Sequence, residues 1–224
     1  MYPYAEAVHV PPLIRGSVLT RSVSLVFGLF LFALGIVFLL ESGLGLSPWD
    51  VLAQGISDRT PLSFGTANIV IAVVVLVIAR ALGARIGPGT VANAVLIGLF
   101  VDWLIAIDAI DALSDASLAV RIVLMGAGIL IIGIGTGFYI GAGMGAGPRD
   151  SLMLVTARRS GVRIGVTRAT IEIAVTVVGF ALGGTVGIGT LAFAFGIGPA
   201  VELSFWILER SPIAKTAPNA SHAA

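Results

Sequence analysis

Apolar residues fall along this chain in six long runs separated by shorter polar interruptions. The runs are Ser22–Leu40, closed by Glu41; Gly65–Gly83; Pro88 to about Ile107; Ile122–Ile140; about Val166 to Leu182; and about Gly189 to Leu208. Each holds roughly 17–20 residues, enough for a helix to cross a hydrocarbon core of about 30 Å. The interruptions Glu41–Phe64 and Gly141–Ile164 are longer, and each contains a short helical pattern, Pro48–Ser57 and Pro148–Arg158. A helix of about ten residues reaches only about 15 Å. Both a re-entrant half-helix and an amphipathic helix on the membrane surface satisfy that length. The pattern predicts an all-α membrane protein with six transmembrane helices.

Composition removes the alternative of a soluble fold. The 224 residues are 57% hydrophobic and 11% charged, with a mean hydropathy of +1.05. A soluble domain carries about 25% charged residues. With no cysteine, and with both histidines (His9 and His222) in the tails, thiol chemistry and an intramembrane histidine metal set are excluded. A net charge of +1 points away from a nucleic-acid partner. The bilayer is the expected partner, and the composition is compatible with a homo-oligomer.

Charge sets the expected orientation. With the N-terminus inside, the first outer loop holds Glu41, Asp50, Asp58 and Arg59, and the second holds Asp108, Asp111 and Asp115, with Arg121 at its far edge. The inner segments hold Arg80 and Arg85, then Arg149, Arg158, Arg159, Arg163 and Arg168 against Asp150, then Arg210 and Lys215. Basic residues gather on one side, so both termini are expected in the cytoplasm. Residues 1–20 lack the basic start and cleavage site of a signal peptide and read as a cytoplasmic tail. Residues 209–224 read as a disordered cytoplasmic tail.

Sliding the chain by 100 residues aligns it with itself without gaps. Gly43–Asp50 (GLGLSPWD) meets Gly143–Asp150 (GMGAGPRD), and Gly87, Gly89 and Thr90 meet Gly187, Gly189 and Thr190. Over residues 21–104 about 26 of 84 positions are identical, which marks an internal duplication. The repeats are expected to span 21–108 and 121–208. Three helices per unit is an odd number, so the second unit must sit inverted relative to the first. Inverted repeats with short broken segments at matching places are a signature of secondary transporters.

The candidate site follows from the duplication. Ser47 suits an N-cap, Pro48 the first helical position and Asp50 a capping-box carboxylate; Gly147, Pro148 and Asp150 take those places in the second unit. Helix capping and ligand contact are both open for Asp50 and Asp150, with Trp49 beside the first. Gly43, Gly45, Gly143 and Gly145 precede the motifs, where left-handed or close-packed backbone is expected. Asp102 and Glu202 lie at matching places within spans. Each needs a polar partner, a wet cavity or a route to the interface. Glu172 stands four residues from Arg168, the spacing of an ion pair. Thr90 and Thr190 suit N-caps or packing beside Gly89 and Gly189. Asn68 and Asn93 suit contacts across the bundle, with a substrate contact as the alternative for each.

The run GLGLSPWDVLAQGIS, with Ser63-Phe64-Gly65-Thr66, Gly87-Pro88-Gly89-Thr90, Asn93, Gly98 and Asp102, resembles the YczE/YyaS/YitT family of bacterial membrane proteins, nearest its YczE-like branch. The resemblance covers about residues 20–208 and implies a multi-pass protein of the bacterial plasma membrane. It implies no substrate. Arg149 in place of Trp and Glu202 in place of Asp make the two halves unequal. The expected activity is a transporter or channel for a small polar solute, with Asp50, Asp150, Asp102, Glu202, Trp49 and Asn93 as candidate contacts. The alternative is an accessory or sensory membrane component. No nucleophile–base pair stands in the spans, so neither an enzyme nor a cofactor is expected.

Overall fold

A computed structural model describes residues 12–107, 110 and 112–215. Its helices are α1 (Val18–Ser42), α2 (Pro48–Ser57), α3 (Phe64–Ala81), α4 (Pro88–Ile105), α5 (Leu118–Gly141), α6 (Pro148–Ser160), α7 (Ile164–Ala181) and α8 (Ile188–Arg210). Strands β1 (Leu13–Ile14) and β2 (Ala214–Lys215) pair antiparallel. All but α2 and α6 are long and apolar enough to span a membrane, making six candidate spans. Asp108 and Asp111 of the charge pattern, residues 1–11 with His9, and residues 216–224 with His222 lie outside the described residues.

Local chemistry explains where the helices begin and end. Ser17, Ser47 and Ser63 are N-caps whose hydroxyls accept from the main-chain N–H three residues on. Thr90 and Thr190 are not N-caps. Each sits at the third helical position and its hydroxyl accepts from the N–H of Gly87 (3.2 Å) or Gly187 (3.3 Å). The tail expected to be disordered from residue 209 is helical to Arg210 and then forms β2. Ile14, Leu208 and Ala214 bury one another there, with Phe138 packed against them.

Helices α1 and α5 form the centre, packed antiparallel along most of their length. Glycines allow the approach: a Cβ on Gly28 would lie 2.6 Å from Tyr139 N, and one on Gly35 2.6 Å from Gly128 O. Leu29, Ala33, Ile36 and Val37 are wholly buried in this seam. Helix α4 packs on α1, and α8 on α5; α2 packs on α3 and α7, and α6 on α7 and α3. The short helices therefore lie within the bundle, with Pro48, Trp49, Asp50 and Pro148 all buried. Exposed Ile173, Val177, Phe180, Leu191 and Phe195 leave an apolar outer surface suited to lipid.

The two halves contact each other reciprocally. Arg21 Nε donates to Ala142 O and Arg121 Nε to Ser42 O, both at 2.6 Å. Gly89 N donates to Met144 O (2.9 Å) and Gly189 N to Leu44 O (2.7 Å). Gly45 packs against Thr190, and Gly145 against Thr90. All four glycines before the short helices have positive φ: Gly43 58°, Gly45 121°, Gly143 61° and Gly145 123°. No other residue type enters this region so readily, which is why the loops repeat the same spacing.

One pairing breaks the correspondence. Helices α3 and α4 pack closely, and a Cβ on either Gly65 or Gly98 would collide with the other's carbonyl. The corresponding α7 and α8 scarcely touch, and a Cβ on Gly165 or Gly198 would meet nothing within 4 Å. The bundle is closed between α3 and α4 and splayed between α7 and α8.

Candidate functional site

The N-termini of α2 and α6 meet at the centre of the bundle. Asp50 is 1% exposed and accepts from two side chains. Its Oδ2 accepts from the Ser47 hydroxyl and its Oδ1 from Asn68 Nδ2 at 3.0 Å. Arg149 Nη2 donates to Asn68 Oδ1 at 2.9 Å and lies 3.7 Å from Asp50 Oδ1. A buried carboxylate is tolerable only with such a partner set. Asp50 thus does not reach back to the main chain of its own N-cap, as a capping-box carboxylate would. It joins α2, α3 and α6.

Asp150 behaves differently. Gly147 offers no side chain, and Asp150 Oδ2 instead accepts from the Tyr139 hydroxyl of α5 at 2.7 Å. Asn93 of α4 packs against Gly147, where a Cβ would lie 3.2 Å from Asn93 Oδ1. Trp49 and Arg149, equivalent positions in the two motifs, face each other, with the guanidinium 5.4 Å from the indole centroid. Trp49 is 6% exposed, and its Nε1 donor has no hydrogen-bond partner among the described residues.

These groups line a cavity of about 350 Å³ to which all eight helices contribute. That volume lies in the range of small-ligand sites. Five of the six candidates line it: Asp50, Asp150, Trp49, Asn93 and Glu202. Arg168 and Glu172 of α7 also line it, joined by the expected ion pair at 2.9 Å. Glu202, on α8 and exposed, makes no hydrogen bond or ion pair among the described residues.

Asp102 does not belong to this site. Its carboxylate caps α3, accepting from Ser63 Oγ at 2.5 Å, Gly65 N at 2.8 Å and Thr66 Oγ1 at 3.4 Å. The sequence placed it at the far end of α4, but only the fold brings the start of α3 beside it. Pro48 and Pro148 occupy first helical turns as expected. Tyr139 carries no signal in the sequence as a site residue; Asn68 makes the contact across the bundle expected of it, and Arg149 marks the inequality of the two motifs. The Trp/Arg difference at equivalent motif positions was the available signal. The two residues face each other in the fold, a cation over an aromatic ring.

Fold and site define a multi-pass α-helical membrane protein with an internal polar cavity. The chain belongs to the family of unknown function DUF6198, whose model matches residues 19–205, and it groups with the YczE and YyaS membrane proteins. It is 38% identical over 188 residues to an uncharacterized protein of Haemophilus influenzae, covering 84% of each chain. It is 33% identical over 180 residues to the uncharacterized membrane protein YczE of Bacillus subtilis, covering 79% of this chain and 81% of that one. Identity to the uncharacterized protein YyaS of the same organism is 30% over 192 residues, covering 84% and 94%. No solved structure matches.

Proposed function

We propose that this protein is a small secondary transporter of the bacterial plasma membrane, built from two inverted copies of one three-span unit, with the central cavity as its solute site. The reciprocal contacts support the inverted arrangement, because paired contacts of the form i–j and j–i are what a two-fold relation produces. The observation that carries the transport reading is the unequal packing of equivalent helix pairs, α3–α4 closed and α7–α8 splayed. In an inverted repeat, equivalent pairs lie at opposite faces of the membrane. A cavity closed at one such pair and open at the other is one state of alternating access, and exchanging the two conformations gives the opposite state. A channel would need both ends open together.

With both termini cytoplasmic, as the arginine distribution favours, the splayed pair opens inward. In the opposite state Gly165 and Gly198 would pack as Gly65 and Gly98 do, and Glu202 would take the capping place that Asp102 holds on α3. The chain has no cysteine, so labels can be placed without removing any. Spin labels at Ile173→Cys and Leu203→Cys, exposed positions on α7 and α8 whose equivalents Val73 and Trp103 are also exposed, should give two distance populations in proteoliposomes. A single long distance whatever the solute or pH gradient would overturn the proposal.

A further inference from the structure

We infer that the cavity takes a small protonated amine that also carries an oxygen acceptor, a class exemplified by amino alcohols. The inference rests on reading the cavity as a solute site and assigns its chemistry from groups left unmatched. Two arginines and four carboxylates line the cavity. Arg149 is paired with Asp50, and Arg168 with Glu172. Two carboxylates therefore have no cation. Asp150 is held by a neutral donor, the Tyr139 hydroxyl, and Glu202 by nothing among the described residues. A negative surplus in a partly apolar, partly closed space attracts a cation and repels an anion. Phe32, Phe193 and the Tyr139 ring add π faces that favour an ammonium group.

The acceptor requirement comes from a different atom. Trp49 Nε1 is a buried N–H with no acceptor, on a residue that lines the same cavity. Leaving such a donor unmatched forfeits its hydration without a replacement. The Arg149 guanidinium over the ring is a donor as well. An acceptor arriving with the ligand would satisfy it. A hydroxyl, ether or carbonyl oxygen does so without cancelling the positive charge that the carboxylates require.

Ethanolamine, ethylamine and propionate isolate the two features, and isothermal titration of purified full-length protein with each measures them. Ethanolamine should bind most tightly, ethylamine several-fold more weakly and propionate not at all. Glu202→Gln should weaken both amines about tenfold. Trp49→Phe should bring ethanolamine down to the level of ethylamine while leaving ethylamine unchanged. Glu202 is exposed, so its variant keeps the test valid if Trp49→Phe fails to fold. Propionate binding as well as the amines, or unchanged amine affinity in Glu202→Gln, would overturn the amine assignment while leaving the cavity a solute site. Binding by none of the three would overturn both readings. Repeating the titration in nanodiscs with and without phosphatidylethanolamine identifies the source. Competition by that lipid assigns the amine to a headgroup, and its absence assigns it to a free solute.

Discussion

Arg149 and Asp50 begin different short helices, yet they share one amide: Asn68 accepts from the guanidinium at 2.9 Å and donates to the carboxylate at 3.0 Å. The three residues hold together α2, α3 and α6, and with them the floor of the cavity. Removing one member strands the others away from water.

Arg149→Ala should therefore destabilise the protein by about 3 kcal/mol, the lower end of the cost of breaking a buried ion pair, because Arg149 is itself partly exposed. Adding Asp50→Asn should recover part of the loss, since the stranded charge goes with it. Thermal unfolding in detergent of both single variants and the double variant completes the cycle. An Arg149→Ala protein that melts with the wild type would show that the network carries no stability.

The acids at matching places in the two units should respond oppositely. Asp102→Ala removes the carboxylate that accepts from Gly65 N and from the Ser63 N-cap hydroxyl at the start of α3, and should cost about 1–2 kcal/mol. Glu202→Ala removes a side chain with no partner among the described residues and should leave the melting temperature nearly unchanged. Equal losses for both would mean that Glu202 also holds a helix in the ground state.

The central seam makes a sharper contrast between glycines. Gly28→Ala forces a methyl to within 2.6 Å of Tyr139 N, whereas Gly126→Ala on α5 meets nothing within 4 Å. The first should lower the melting temperature strongly and broaden the gel-filtration peak. The second should be silent. Similar behaviour of the two would contradict the close approach of α1 and α5.

Arg21 and Arg121 offer a test of reciprocity. Each closes the C-terminal carbonyls of the opposite central helix, Ala142 O for one and Ser42 O for the other. Arg21→Ala and Arg121→Ala should lose stability by similar amounts, about 1–2 kcal/mol each, for a charge-assisted hydrogen bond. Unequal losses in thermal melts would show that the two ends are not energetically equivalent.

The spans were legible in the sequence because the bilayer demands long apolar runs, and their ends agree with the helices to within a few residues. The repeat was legible because glycines at positive φ, such as Gly45 and Gly145, admit few replacements. The motif was legible as helix starts and as a meeting place, which is why five of six candidates line one cavity. Asp102 was not legible, since its partners Ser63 and Gly65 lie some forty residues away and packing alone brings them near. Tyr139 was hidden for a related reason. An apolar-looking residue in an apolar run shows its hydroxyl's role only when α6 delivers Asp150 to it.

The ribbon of Leu13–Ile14 with Ala214–Lys215 has a wider meaning. A covalent connection joins the units between α4 and α5, and the ribbon joins the last helix of the second unit back to the first helix of the first. The polypeptide is open as a string but closed as a ring. The ribbon thus ties the two halves at their ends in addition to the helix contacts between them, and in the transport cycle proposed above it would restrain any rocking of one half against the other. A short peptide joining the ends, with the chain reopened in the 106–117 connection, would exchange the covalent tie for the hydrogen-bonded one and leave the ring intact.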